Sequence, residues 1–316
     1  MKKRVLGKTG FEIVPLVFGG NVFGWTIDEN RSFQILDAIV DLGLNAIDTA
    51  DVYSRWVPSN QGGESETIIG KWLKANPSKR DKILIFSKVG ADMGGDHKGL
   101  SKRWIIQAVE DSLRRLQIDV IDLYQSHWPD PQTSYEETLS AYDQLLKEGK
   151  IRAIGASNLN TQQLSDSLTV AKNNNLPAYQ TLQPEYNLYD HEQFDENLRN
   201  LVLKENIGVI TYYSLASGFL SGKYRSKDDL NQSKRGEKVA SYLNKRGMNI
   251  LNALDKISEK HHATQAEIAL AWLMARKEVT APIASATTIP QLKSLVHALQ
   301  INLTSDDMAV LDQVSH

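Results

Sequence analysis

Four side chains in the first 130 residues have types and spacing that suggest chemistry. Asp48 lies in Ile47-Asp48-Thr49-Ala50, with Tyr53 close behind in Asp51-Val52-Tyr53. Lys88 ends the run Ile85-Phe86-Ser87-Lys88, and His127 follows Leu123-Tyr124-Gln125-Ser126. Taken singly, each reads equally well as an ordinary polar residue at a strand end. A carboxylate, a lysine and a histidine closing three successive β-rich runs, with a tyrosine beside the first, suggest a site. A phenol titrates near pH ~10, so a proton donor for neutral pH is better with a lower value. A nearby ammonium favours phenolate, and a carboxylate keeps that ammonium charged and in place. Lys88 and Asp48 are expected to do this for Tyr53. A neutral His127 is suited to hydrogen-bonding and orienting a substrate oxygen. Such a set gives a proton to oxygen as negative charge grows there, as in carbonyl reduction. None of these groups can supply hydride, so a cofactor must. The competing reading of the same lysine is a Schiff-base aldolase, in which Lys88 attacks a carbonyl. Pairing with Asp48 would hold it protonated and poorly nucleophilic.

Residues at strand ends need a scaffold that brings strand ends together. An opening hairpin is expected from Arg4-Val5-Leu6 and Phe11-Glu12-Ile13 around Gly7-Lys8-Thr9-Gly10. β-Rich runs then alternate with amphipathic stretches about eight times. The expected strands are Leu16–Gly19, Ala46–Thr49, Ile83–Lys88, Ile121–Ser126, Ile151–Ala156, Tyr179–Gln183, Gly208–Tyr213 and Ala281–Ser285. The expected helices are Arg31–Leu42, Glu64–Ala75, Lys102–Leu116, Tyr135–Glu148, Thr161–Asn173 and Phe194–Glu205, then two in Met248–Lys277 split at an N-cap, Thr264, then Gln291–Leu299 and Asp306–Val314. This alternation implies parallel pairing through right-handed crossovers. Eight units fit a closed α/β (β/α)8 TIM barrel better than an open sheet, and no Gly-x-Gly-x-x-Gly follows the first strand. No linker divides the chain, so residues 1–316 read as one domain. Two long loops follow strand ends, Ser54–Gly63 and Ser217–Arg246. Barrel active sites are built on that face. The second loop is rich in Lys and Arg and reads as a solvated, mobile segment.

Composition narrows the class. Apolar residues are 41% and charged residues 23% of 316, as in a globular protein with an ample core. Thirty-six basic and 38 acidic side chains leave a net charge of −2, with no global pull toward nucleic acid or anionic lipid. The absence of cysteine removes disulfides, thiolate catalysis and iron–sulfur or zinc–thiolate centres. His261-His262 lacks a third metal ligand in sequence, so no metal is expected. Met1-Lys2-Lys3-Arg4 is basic, but Gly7, Lys8, Thr9 and Gly10 follow where a secretory leader needs an apolar run. With no run long enough to span a bilayer, a cytoplasmic location is the expectation. The expected partner is a small molecule, with neither nucleic acid nor membrane.

The ordered segments carry a family resemblance. Asp48-Thr49-Ala50…Tyr53, Gly63-Glu64-Ser65-Glu66, Ser87-Lys88-Val89, Ile121-Asp122-Leu123-Tyr124…His127, Ile154-Gly155-Ala156-Ser157-Asn158, Gln183…Tyr186-Asn187 and Tyr213 through Tyr224 together resemble the aldo-keto reductases over nearly the whole chain. The likeness is to the bacterial branch related to the potassium-channel β-subunits. It implies a tetrad of Asp48, Tyr53, Lys88 and His127 with Tyr53 as general acid/base. It also implies NADPH (NADP+) bound extended, without a Rossmann domain, and a carbonyl or sugar-like substrate reduced to an alcohol, or the reverse. The alternative carried by the same likeness is a non-catalytic cofactor-holding redox sensor or regulatory subunit. Ser157, Asn158 and Gln183 match the residues at the nicotinamide carboxamide. Tyr213 matches the aromatic under the ring, and Gly19 and Gly20 match the ribose end of the first strand. Ser214, Leu215, Ser217, Gly218 and Lys223 match the pyrophosphate loop, and Ser285, Thr287 and Gln291 match the adenosine-phosphate end. The alternative for Tyr213 is a core aromatic in a strand. Gly218 through Tyr224 is not a phosphate-binding P-loop, because one residue is missing between the glycines and Tyr224 stands where Ser or Thr would bind magnesium. Trp25, Trp56 and Trp128 follow barrel strands and are expected to line the substrate cleft.

Departures from the pattern fall at the adenosine end. Ser285 stands for a usual glycine and Leu215 for a proline, and the basic residue usual near Thr288 and the asparagine usual near Leu295 are missing. The choice between NADPH and NADH is therefore left open. Only a modest preference for NADPH is expected, drawn from the basic loop after the seventh strand or from helix N-terminal amides after Ser285.

Overall fold

The structure, a computed structural model, describes residues 1–315. A hairpin of β1 (Arg4–Val5) and β2 (Glu12–Ile13) precedes the repeating part of the chain. The first half then runs β3 (Val17–Gly19), α1 (Glu29–Asp41), β4 (Ala46–Asp48), α2 (Glu64–Ala75), β5 (Leu84–Val89), α3 (Lys102–Leu116), β6 (Ile121–Ser126) and α4 (Tyr135–Lys147). The second half runs β7 (Ile151–Ser157), α5 (Thr161–Asn173), β8 (Thr181–Gln183), α6 (Glu196–Glu205), β9 (Gly208–Thr211), α7 (Gly236–Val239), α8 (Lys245–His261), α9 (Gln265–Met274), β10 (Ala281–Ala284), α10 (Ile289–His297) and α11 (Ser305–Ser315). Strands β3 to β10 close into one parallel barrel in the order β10-β3-β4-β5-β6-β7-β8-β9. This is the expected (β/α)8 barrel.

Two apolar layers explain the closure. Side chains alternate across each strand. Val17, Ala46, Phe86, Leu123, Ala153, Ile210, Ala281 and Ile283 point inward and pack with Leu6, Phe11 and Ile13 of the hairpin. The hairpin therefore plugs the N-terminal end of the barrel. The alternate residues Ile47, Ile85, Tyr124 and Ile154 point outward into the layer shared with the helices. The same alternation puts Asp48, Lys88 and Gln125 on the inner face, one step above Ala46, Phe86 and Leu123. Register joins them, with Asp48 opposite Phe86, Lys88 opposite Gln125, and Gln125 opposite Gly155. Gly155 leaves room for this layer. A Cβ there would lie 2.0 Å from Thr181 Oγ1 and 3.1 Å from Gln125 Cγ. Gly155→Ala is expected to cost about 1–3 kcal/mol through overpacking, read as a lower urea midpoint at unchanged slope.

Helix starts follow their caps. α1 begins at Glu29 rather than Arg31 because Asp28 accepts from Arg31 N. α6 begins at Glu196 because Asp195 caps it, and Phe194 is buried just outside. The Met248–Lys277 stretch does split at Thr264, which forms a reciprocal capping box with Glu267. The first of its two helices starts at Lys245, where Asn244 is the cap.

The segment after β9 differs from expectation. It folds onto the barrel mouth instead of standing in solvent. Phe219, Leu220, Tyr224, Val239 and Tyr242 are buried. Arg225 grips Asp255 of α8 with Nη1 and Nη2 at 2.9 and 2.6 Å. Sequence charge alone hides these interleaved apolar anchors.

Candidate active site

At the C-terminal ends of β4, β5 and β6 the inward polar residues meet. Lys88 is fully buried, and its Nζ donates to Asp48 Oδ2 at 2.6 Å, the Thr49 carbonyl at 2.9 Å and Tyr53 Oη at 2.9 Å. All three ammonium protons have acceptors. That arrangement counts against the Schiff-base reading, which needs a free lone pair on nitrogen. The other Asp48 oxygen accepts from Gln183 Nε2 at 3.0 Å and Gln125 Nε2 at 3.3 Å. His127 is placed by its backbone N–H, which donates to the Val89 carbonyl at 2.8 Å. Its ring lies 6.1 Å from the Tyr53 ring, centroid to centroid. The tetrad is one cluster in space.

Electrostatics correct one expectation. Burial, and then the Asp48 carboxylate, push the Tyr53 hydroxyl well above its ordinary value instead of below it. The reason is that Lys88 is not a lone charge. Asp48 at 2.6 Å largely cancels its field at the phenol, leaving desolvation to decide. Burial also lowers the Lys88 value, opposed by Asp48. Burial, assisted by the Lys88 charge, holds His127 well below its ordinary value, so the imidazole is neutral as expected. Asp51, although close in sequence, is buried outside this cluster, and desolvation raises its carboxyl well above the usual range.

Above the tetrad opens a cavity of about 1090 Å³ that runs along the barrel mouth to α10. Asp48, Tyr53, His127, Trp56 and Trp128 line one end of it. Trp56 and Trp128 are 47% and 50% exposed, as lips of a cleft. Trp25 does not line the cavity. It packs edge-on behind Trp56 at 5.4 Å, with the Arg235 guanidinium 5.0 Å over its other surface. Gly19, Ser157, Asn158, Gln183, Tyr213, Ser214, Leu215, Ser217, Gly218, Lys223, Ser285, Thr287 and Gln291 all line the cavity. Gly20 does not. It is buried behind the wall, its carbonyl accepting from Ser65 Oγ at 2.8 Å.

Several of these residues are held in unusual conformations. Asn158, Tyr213, Ala216 and Ser217 have φ of 62°, 51°, 47° and 58°, the left-handed region that non-glycine residues avoid. Asn158 is fixed there by Nδ2 donating to the His127 carbonyl at 2.9 Å and by Tyr212 Oη donating to its Oδ1 at 2.7 Å. Tyr213 is 37% exposed and faces the cavity, so it is not a core aromatic. The wall fits a dinucleotide on chemical grounds. Ser217 Oγ is buried without a partner, and the loop segment after β9 presents Lys223, Lys234, Arg235 and Lys238 to the cavity. Lys238 Nζ lies 3.5 Å over the Tyr213 ring. Four cations along one wall suit a pyrophosphate.

The end of the cavity next to α10 explains the departures. Ser285 Oγ lies 2.8 Å from both the Gly19 carbonyl and Asn21 Oδ1. A Cβ on Gly19 would come within 2.6 Å of that oxygen, so glycine on β3 makes room for serine after β10. Thr288 caps α10 through Oγ1, which accepts from Gln291 N, so its side chain serves the helix. Leu295 is buried and offers an apolar wall. Among the described residues no group of three or more His, Asp or Glu could hold a metal ion, and His261 Nε2 is bonded to Asp307 Oδ2 at 2.9 Å. Among the described residues no helix is long and apolar enough to cross a membrane.

Residues 15–316 match the model of the aldo/keto reductase family. The chain belongs to that family. Membership places it with oxidoreductases. It is similar to the uncharacterized oxidoreductase YrpG of Bacillus subtilis, 32% identical over 99% of this chain and 96% of the relative. It is similar at 32% to the aldo-keto reductase YhdN of the same organism, over 94% of this chain and 86% of the relative. It is also 29% identical, over 95% of this chain and 92% of the relative, to a probable voltage-gated potassium channel subunit beta of Arabidopsis thaliana. For this aldo/keto reductase, sequence reasoning passed over Gln125, Asn21 and the cations Lys234, Arg235 and Lys238. Gln125 was legible, since it shares the inward alternation of Leu123. The cations were not, since nothing in a loop's composition says which residues fold back over the barrel.

Proposed function

We propose that this protein is an NADP(H)-dependent oxidoreductase that interconverts a small aldehyde or ketone and its alcohol, with Tyr53 as general acid/base. The observation that carries the reading is the Tyr53 hydroxyl, held by Lys88 Nζ at 2.9 Å on the floor of the cavity and across from a neutral His127. The nicotinamide, when bound, supplies the hydride that reaches the carbonyl carbon. Ser157, Asn158 and Gln183 would hold its carboxamide, Tyr213 its ring, and Lys223 with Ser217 and Gly218 its pyrophosphate. His127 donates a hydrogen bond to the carbonyl oxygen and orients it. Tyr53 gives its proton to that oxygen as the C–O bond becomes single, and the phenolate then recovers a proton from solvent. The raised phenol suits this direction. The acid stays loaded at neutral pH, and an alkoxide is basic enough to take its proton.

The sign of the pH dependence follows. A phenol raised by burial keeps its proton through neutrality, so reduction is expected to stay flat there and fall only in the alkaline range. The reverse oxidation needs the phenolate and is expected to rise with pH over the same range. Steady-state rates in both directions between pH 6 and about 11 test this; a reduction rate that already falls near neutral pH would mean a depressed phenol. The function itself is tested by following NADPH absorbance with a panel of aldehydes, ketones and sugars. Turnover of at least one carbonyl supports it. Tight NADPH binding with no turnover of any would instead mark a cofactor-holding sensor.

A further inference from the structure

Discrimination between NADPH and NADH requires positive charge at the 2′-phosphate, and the cavity wall at its adenosine end has none. Thr264, Ser285, Thr287, Gln291, Ser294 and Leu295 line it, all uncharged. Of the cations on the wall, all from the segment after β9, Lys234, Arg235 and Lys238 lie at Trp25 and Tyr213, and Lys223 Nζ sits over the Tyr224 ring at 5.0 Å. Lys234 Nζ donates to the Trp25 carbonyl at 2.9 Å, and Lys238 sits over Tyr213. One further cation, Arg31, does not line the cavity itself but bonds the backbone of Thr287, which does. Arg31, in the first turn of α1, donates from Nε to the Thr287 carbonyl at 3.2 Å and from Nη1 to Gln34 Oε1 at 2.8 Å. Both acceptors are neutral. Among the described residues no carboxylate pairs with Arg31, since the side chain of its cap, Asp28, is taken by the Arg31 backbone N–H. The guanidinium is half-buried and oriented by two bonds, with its charge uncompensated and its Nη2 edge available.

We propose that Arg31 of α1 is the residue that distinguishes NADPH from NADH, by pairing with the 2′-phosphate where Thr287 and Gln291 line the cavity. The inference rests on the nicotinamide-dinucleotide reading above. The neighbouring groups suit a phosphate. Gln291 Oε1 accepts from Thr287 N and Oγ1 at 2.8 and 3.0 Å, which occupies the oxygen that would otherwise repel a phosphate. The N-terminal turn of α10 adds its partial positive charge. Arginine's planar fork can also add a second donor without giving up the Thr287 bond. The physical reason for this placement is that Thr288 is committed to capping α10, so the charge comes from the helix that packs beside it.

The test is binding in the absence of substrate. Dissociation constants for NADPH, NADH, 2′,5′-ADP and 5′-AMP are measured by quenching of tryptophan emission in the wild type, Arg31→Ala, Arg31→Gln and Lys293→Ala. Lys293 is exposed on α10 and serves as a charge control. The wild type is expected to prefer NADPH by about ten- to thirty-fold, the scale of one charged hydrogen bond. Arg31→Ala and Arg31→Gln should bring the ratio close to one by weakening NADPH and 2′,5′-ADP alone, and Lys293→Ala should leave it unchanged. Thr288→Arg in the Arg31→Ala background should restore part of the ratio by returning a cation to the same seat. The wild-type ratio should shrink as salt rises, since the charge is partly exposed. Equal weakening of both nucleotides, an unchanged ratio in both Arg31 variants, or loss of the ratio in Lys293→Ala would overturn the proposal. So would a wild type with no preference. A folded wild type that binds neither nucleotide overturns the cofactor reading itself, an outcome distinct from binding both with Arg31 silent.

Discussion

Replacing Tyr53 with phenylalanine is expected to lower carbonyl turnover by ~10²-fold or more while cofactor binding stays nearly intact. The substitution keeps the ring against Trp56 and His127, at centroid distances of 5.9 and 6.1 Å, and removes only the hydroxyl. No other acidic hydrogen of the tetrad can replace it. Lys88 keeps Asp48 and the Thr49 carbonyl as acceptors, the N–H freed by loss of the hydroxyl is buried and does not line the cavity, and His127 is held neutral. The loss should therefore appear in kcat with little change in the nucleotide dissociation constant, and the alkaline limb of the pH profile should disappear with the phenol. Near-normal turnover in this variant would remove Tyr53 from the mechanism and pass the proton to water or to His127.

Lys88→Met is expected to lower turnover sharply, to a residual rate that is still measurable, and also to destabilise the fold. Among the described residues the ammonium is the only cation bonded to Asp48, and both side chains are buried. Removing one member of such a pair leaves an uncompensated charge, at a typical cost of about 3–5 kcal/mol, partly relieved if Asp48 takes up a proton. Gln183 and Gln125 still donate to Asp48 but carry no charge. Tyr53 loses its donor at 2.9 Å and the positive charge paired with Asp48. While Asp48 stays ionised, the phenol then rises further and the alkaline fall in the reduction rate moves to higher pH. Asp48→Asn should be milder, because Lys88 keeps Thr49 and Tyr53 as acceptors. Urea denaturation and pH–rate profiles on the pair of variants separate the two effects. An unchanged profile in a folded Lys88→Met protein would show that Lys88 does not tune Tyr53.

Much of the site was legible in the chain because strand periodicity is local. A residue two places beyond an inward apolar residue also points inward, so Phe86 implies Lys88 and Leu123 implies Gln125. The alternation of strands and helices with right-handed crossovers is enough for the barrel, and the barrel is enough to bring strand ends together. Helix boundaries were legible only where the cap was read as a cap. Thr264 was, whereas Asp28, Asp195, Asn244 and Thr288 moved their helix starts by two or three residues from the apolar pattern. What the tertiary structure alone decided depends on burial and on distant pairing. The direction of the Tyr53 shift turned on how closely Asp48 cancels Lys88 and how dry the pocket is, and neither is written in spacing. The polar segment after β9 lies across the cavity because buried aromatics and Asp255 hold it there. Arg31 reaches Thr287 across 256 positions of sequence, a contact created by barrel closure bringing α1 and α10 side by side.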